Sequence, residues 1–208
     1  MYVSPFSPLN RYKVTAPRNG RLYNIIDPTP RELVLLEMIK SCGVMAGFQL
    51  ESILCPRKKL KSLASQGALV RYKFESENYR MNVYTLDLAV DLDLALRRLA
   101  FAQLYVRIRE LVPCEAALCP APLTGMIYFN GASYPVLVIR KGDSTVLLPE
   151  ILKVLPRVLV ISEELIKLEL TIPYRMTTDY DLLNRPLRYA FYNESGVPEE
   201  AAQFAACV

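Results

Sequence analysis

Arg57, Lys58, Lys59 and Lys61 crowd the start of one short stretch, CPRKKLKSLASQGALV, which runs from Cys55 to Val70. At helical spacing Leu60, Leu63 and Ala64 share one face and the four cations lie on the other. Pro56 suits a first helical position, and Gly67 follows the last periodic residue, where a left-handed cap ends a helix. Cations near a helix N-terminus oppose the macrodipole, so an anion such as a phosphate group relieves the conflict. The chemistry on offer is electrostatic: contact with a phosphate backbone, weighed against an ordinary solvated basic face. Arg71, Lys73 and Arg80 follow within two short alternating segments and extend the same chemistry.

Other chemistries are excluded by composition. The chain has no histidine, which removes Ser-His-Asp and Cys-His nucleophiles, imidazole acid/base catalysis and the usual zinc sites. Cys114 and Cys119 form a C-x4-C pair with no second pair to complete a metal site. The odd total of five cysteines resembles reduced thiols more than a disulfide framework. No Walker loop or dinucleotide fingerprint occurs. The segment Met1–Leu9 lacks the features of a secretory signal, and no apolar run reaches the roughly eighteen residues of a membrane span. These features predict a cytoplasmic protein with no cofactor and no membrane association.

Charge divides the chain. Residues 1–86 carry thirteen Lys/Arg against six Asp/Glu, whereas residues 87–208 carry twelve against fifteen. A phosphate-bearing partner would therefore meet the N-terminal half.

The elements that must position the cations follow in order. Residues 1–28 hold four prolines together with Arg11, Lys13, Arg18 and Arg21, and are expected as a basic flexible arm with a short strand at Arg21–Ile26. Thr29, Pro30 and Glu32 spell a capping box that opens a helix ending near Cys42-Gly43. A second helix is expected over Ala46–Leu54, then the basic helix. Leu69–Phe74 alternates as a strand and Met81–Leu86 returns as its partner. Helix, short helix, basic helix and hairpin make a winged helix-turn-helix over residues 29–88.

The acidic stretch Asp87–Asp93 reads as a boundary. A helix over Leu94–Glu110 then carries a broad apolar surface, suited to packing on the following sheet or to pairing with a second copy, the first being favoured. Gly125–Phe129, the Asn130-Gly131 turn and Tyr134–Lys141 predict a hairpin. A helix at Leu148–Leu155, a strand at Arg157–Ser162, a short helix at Glu163–Leu168 and a strand at Tyr174–Thr178 complete a small α/β domain over residues 89–192. A loose tail is expected over 193–208. The class is α+β.

This order of elements, with the segment LKSLASQGALVRY, resembles the replication-relaxation family of plasmids and other mobile elements. The resemblance covers residues 29–178. It implies association with double-stranded DNA in replication or conjugative transfer, with replication or transfer proteins as partners, and a second domain of restriction-endonuclease-like fold. Such a nuclease site needs an acid near the start of one strand and an acid-x-Lys on the next, because Mg²⁺ takes carboxylates and the lysine positions water. The corresponding places here hold Asn130 and Val138, Ile139 and Arg140, so the acids are missing and the fold reads as catalytically degenerate. Asp143 and Glu150 are the nearest carboxylates. The reading is a non-enzymatic DNA-binding protein with Arg57, Lys58, Lys59, Lys61, Arg71, Lys73 and Arg80 on the nucleic acid. The alternative is a protein-docking module whose winged helix no longer binds DNA, favoured by Glu75 and Glu77 on the hairpin. A nuclease using Asp143 or Glu150 ranks third.

Overall fold

Thr29 opens the first long helix of the computed structural model, which describes residues 2–17, 28–53 and 56–199. Its hydroxyl accepts from the Glu32 N–H, and the Glu32 carboxylate accepts from the Thr29 N–H at 2.8 Å. This reciprocal cap starts α1 (Pro30–Cys42), which stops at Gly43, where φ is +75°. The chain continues through β2 (Val44–Ala46), α2 (Gly47–Ile53), α3 (Arg57–Ser65), β3 (Val70–Glu75) and β4 (Arg80–Thr85), with β1 (Lys13–Thr15) ahead of them all. The four strands form an antiparallel sheet in the order β1-β3-β4-β2. Val70, Tyr72 and Phe74 are buried while Arg71, Lys73 and Glu75 alternate with them, as a period of two requires.

The second half starts with α4 (Leu92–Arg109), capped by the Asp91 carboxylate on the Leu94 N–H. A five-stranded sheet follows: β5 (Glu115–Leu118), β6 (Gly125–Phe129), β7 (Ala132–Val138), β8 (Val158–Ser162) and β9 (Tyr174–Thr178). The first three strands meander antiparallel, and β7, β8 and β9 run parallel. Asn130 at φ +50° and Gly131 at φ +73° make the tight β6–β7 turn that the Asn-Gly pair foretold. A short α5 (Leu148–Leu152) lies between β7 and β8, and α6 (Asp179–Asn184) follows β9. Two sheets with separate helices make the class α+β.

Both faces of the second sheet are covered. Val136, Val138, Leu159 and Ile161 join the main core, whereas Leu137, Ile139, Val158 and Val160 join a smaller cluster with Leu148, Leu152 and Leu168. That explains why YPVLVIRK reads as a nearly continuous apolar run. The helix α4 packs against β2, α1 and α2 on one side and against β6, β7 and α6 on the other. Every residue from Leu99 to Val106 is buried, so its apolar surface is enclosed within the chain rather than offered to a second copy. One cluster of buried side chains consequently runs from α1 through α4 into the second sheet, across the acidic stretch read as a boundary.

Three expectations meet a different outcome. Residues 2–17, expected as part of a flexible arm, form a packed strap, because prolines bar a helix but not an extended chain that buries Phe6 and Tyr12. Within it β1 pairs with β3, the Tyr79 hydroxyl donates to Val3 O at 2.7 Å, and the Ser7 hydroxyl donates to Glu163 Oε2 at 2.5 Å. The strand expected at Arg21–Ile26 lies outside the described residues. Glu163–Leu168 is not helical. The Ser162 hydroxyl bonds Glu164 O, and Leu168 and Ile172 seal the smaller core in an irregular segment. The tail is held as far as Glu199, whose carboxylate accepts from Arg175 Nε at 2.8 Å; residues 200–208 lie outside the described part.

Gly125 marks the closest approach of β6 to α4. A Cβ there would lie 2.3 Å from Cζ of Phe101, a fully buried ring. Gly125→Ala should therefore cost on the order of 1–3 kcal/mol of stability by overpacking, read as a lower urea midpoint, and adding Phe101→Leu should restore part of it. An unchanged midpoint in Gly125→Ala would refute the close approach.

Candidate nucleic-acid interface

Leu60 and Leu63 are fully buried, and they pin α3 with its basic side outward: Arg57, Lys58, Lys59 and Lys61 are all exposed. Pro56 caps the helix without a side-chain hydrogen bond; its carbonyl accepts from the Lys59 N–H at 2.8 Å, and no described side chain caps the first turn. The other end closes as the sequence suggested. Gly67 adopts φ +75° and the Ala68 N–H donates back to Leu63 O at 2.9 Å.

One of the four cations is already engaged. Lys59 Nζ lies 2.5 Å from Glu32 Oε1, so the carboxylate that caps α1 also fastens α3 to it. The Lys59 ammonium and the Thr29 hydroxyl and amide hold the Glu32 carboxyl down, at about 2. Arg57, Lys58 and Lys61 form no ion pair among the described residues, and neither do Arg71, Lys73 and Arg80.

The hairpin carries its cations on the face opposite Val70, Tyr72 and Phe74, a face that also holds the buried Tyr84. Arg71 stands in register with Tyr84, Lys73 with Asn82, and Glu75 with Arg80. Burial pushes the Tyr84 hydroxyl above the usual phenol range, and the charges of Arg71 and Arg57 pull it back. Arg71 at the start of β3 and Arg57 at the start of α3 therefore both act on this hydroxyl. Lys73 and Arg80 extend the charge along the sheet toward the β3–β4 turn. Glu75, read as repelling phosphate, sits between Lys13 on β1 and Arg80 on β4, so two cations flank it in register. Glu77 remains exposed in the turn. Sequence reasoning named Lys13 only as part of a basic arm; Lys-Val-Thr is too short to announce a strand, and only the pairing with β3 reveals its place beside the hairpin.

The second sheet offers no comparable surface at the places of the nuclease template. Asn130 sits in the hairpin turn, and Val138 and Ile139 are buried apolar side chains. Arg140 is buried with Asp179, Nη1 to Oδ2 at 2.9 Å. Asp143 accepts two bonds from Arg97, at 2.6 and 2.8 Å, and one from the Arg140 N–H at 2.7 Å. The Arg97 guanidinium holds its carboxyl below the usual carboxylate range. Glu150 pairs with Lys153 at 2.6 Å on the surface. Among the described residues no group of three or more Cys, Asp or Glu side chains is placed to hold a metal ion. Cys42, Cys114 and Cys119 are free thiols, and burial raises Cys114 to about 11. No described helix is long and apolar enough to cross a membrane. No protein-family model, curated protein or solved structure matches the chain.

The Glu32–Lys59 contact predicts a pH dependence. A carboxyl held below its unfolded value contributes stability above about pH 4.3 and loses it as pH falls through the folded value. The urea midpoint of the wild-type protein should exceed that of Glu32→Gln by a constant margin above pH ~5, and the margin should narrow steadily toward pH ~3. A margin that stays the same across that range would overturn the assignment.

Proposed function

We propose that the chain is a non-enzymatic protein that binds double-stranded DNA through a winged helix formed by α1–α3 and the sheet β2-β4-β3. The observation that carries this reading is the cluster of unpaired cations, Arg57, Lys58 and Lys61 on α3 with Arg71, Lys73 and Arg80 on the hairpin. In this arrangement α3 enters a major groove and the hairpin follows the backbone, so the α3 cations contact phosphates and groove edges while the hairpin cations anchor on phosphates. Lys59 acts chiefly by holding α3 in place against α1. Lys13 joins the hairpin contacts.

The five-stranded half serves as a scaffold. Its antiparallel meander, parallel β8 and covering α4 support the reading of a degenerate restriction-endonuclease-like fold, with Asn130 in a turn and the buried Val138 where metal-binding acids would stand. A role in replication, transfer or regulation of a mobile element, alongside replication or transfer proteins, rests on the resemblance of LKSLASQGALVRY to the replication-relaxation family. A second reading, a protein-docking module, is favoured by Leu33 and Val34, which leave α1 with an exposed apolar patch at 53% and 39% accessibility.

Fluorescence anisotropy against a random-sequence duplex at two salt concentrations separates the two. DNA binding predicts that log affinity falls linearly with log salt, and that Arg57→Ala, Lys58→Ala and Lys61→Ala each flatten the slope by about one unit. Lys59→Ala should change the slope less and lower the urea midpoint instead. Absence of binding at low salt, or affinity indifferent to salt, would give the docking reading precedence.

A further inference from the structure

Among the described residues the three most exposed large apolar side chains are Val146 and Val154, each at 80%, and Leu147 at 66%. All three fall at or beside α5, and Ile151 within it joins them at 46%. Exposed leucines or valines scattered singly are ordinary, but a cluster of them marks a surface that gains by being covered. Local backbone explains why they share a side. Leu147 before α5 and Lys153 after it both have right-handed helical angles, so the helical turn extends across 147–153. Leu147, Ile151 and Val154 then recur at i, i+4 and i+7, while Leu148 and Leu152 take the other side. Those two are buried in the smaller core with Leu137, Ile139, Val158 and Val160. One apolar face pins the element, and a second points outward, where a helix that merely closes a core carries polar residues.

The charges on the outer face decide what fits it. Between Val146 and Leu155 the only charged residues are Glu150 and Lys153, which lie on one flank of the stripe and meet at 2.6 Å. The face is therefore neutral, and neither a nucleic acid nor a strongly charged peptide finds an excess of opposite charge on it. It is complementary to itself. A two-fold axis crossing the helix midway between Glu150 and Lys153 lays α5 antiparallel to its own copy, sets the apolar stripes together and brings each Glu150 opposite Lys153 of the partner subunit. Both side chains are exposed, so exchanging their contact within the chain for one between chains costs little.

We propose that the chain pairs with a second copy through this face, as a two-fold dimer with α5 against α5. The place of α5 keeps the pairing clear of the basic surface. Its buried side faces the smaller core, whereas α4 and the first sheet join the second sheet through the main core on the opposite side. The pairing face is thus on the far side of the second sheet from α3 and the hairpin, and both basic surfaces stay open in the dimer. The pairing is independent of what α3 binds.

Sedimentation equilibrium on the full chain across the micromolar range tests this. The wild-type protein should pass from the mass of one chain toward that of two as concentration rises. Val154→Asp should weaken the association about a hundredfold by burying a carboxylate in the apolar stripe of each copy. The urea midpoint of the dilute variant should be unchanged, since the side chain is exposed in the single chain. Glu150→Lys and Lys153→Glu should each weaken pairing about tenfold by setting like charges opposite one another, and an equimolar mixture of the two variants should recover it. A wild-type chain that stays monomeric throughout, the outcome if another protein or another segment of the chain covers the face, sinks the proposal. A dimer indifferent to Val154→Asp, or a mixture of the charge variants no better paired than either alone, does the same.

Discussion

Enclosure of α4 is the constraint on which the rest of the structure depends. Eight consecutive residues, Leu99 to Val106, are buried, which a helix achieves only when it is packed on opposite sides at once. The first sheet with its helices supplies one side and the second sheet the other. Each fully buried Leu, Phe or Val side chain contributes roughly 1.5–3 kcal/mol by transfer out of water, an upper figure because unfolded chains are partly collapsed. Neither half can keep that contribution alone. The polar exception on α4, Gln103, is used as a lock: Gln49 Nε2 donates to Leu99 O at 2.8 Å and to Gln103 Oε1 at 3.1 Å, while its own carbonyl accepts the Ala46 N–H at 2.9 Å. A buried amide with each group satisfied fixes the register between α2 and α4, where apolar contact alone tolerates sliding.

With α4 in place, the basic surface is positioned by a short chain of dependencies. The α1 cap sets Glu32, Glu32 draws Lys59 and ties α3 to α1, and the buried Leu60 and Leu63 set the rotation of α3 that leaves Arg57, Lys58 and Lys61 outward. The same carboxylate relieves one of the four charges that oppose the α3 dipole. The other three keep the conflict, and so keep a reason to attract an anion. Across the β3–β4 hairpin, Lys13 and Arg80 on either side of Glu75 turn a row that reads as mixed in sequence into one of net positive charge in space.

Much of this was legible from local chemistry. The Thr29-Pro30-Glu32 cap, the Gly67 stop, the Asn130-Gly131 turn and the alternation of Val70, Tyr72 and Phe74 each depend on neighbours within a few residues, and each stands where the sequence put it. The misses are long-range. β1 and β5 are three and four residues long, and Glu-Ala-Ala-Leu favours a helix until β6 supplies hydrogen bonds. Arg140 read only as the polar end of a buried strand, because its partner, Asp179, is 39 residues away. Breaking such a buried pair by removing one member typically costs about 3–5 kcal/mol, so Arg140 and Asp179 matter to the fold as much as any leucine. No periodicity announces that.

The strap shows how magnitudes decide what holds a segment down. Its polar ties are few: Tyr79 to Val3 O, Tyr12 to Pro5 O, and Ser7 to Glu163. Hydrogen bonds of this kind contribute about 0.5–1.5 kcal/mol each after exchange with water. Ordering the backbone costs about 1–2 kcal/mol for each residue fixed, so over residues 2–17 these ties fall far short. Phe6, fully buried and stacked on Phe48 at 6.3 Å, and Tyr12 against Phe74 at 5.8 Å supply the apolar burial that the hydrogen bonds lack, and β1 adds the ladder to β3. The strap is therefore anchored on the first sheet and its helices, by Phe6, Tyr12 and β1. Its hold on the second half is polar and edge-on, through Ser7 to Glu163, Ser4 to Asp179, and Tyr2 to Tyr180 and Asn184. Separation of the strap from the rest of the chain therefore begins at those polar contacts, while Phe6, Tyr12 and β1 keep their places on the first sheet and its helices.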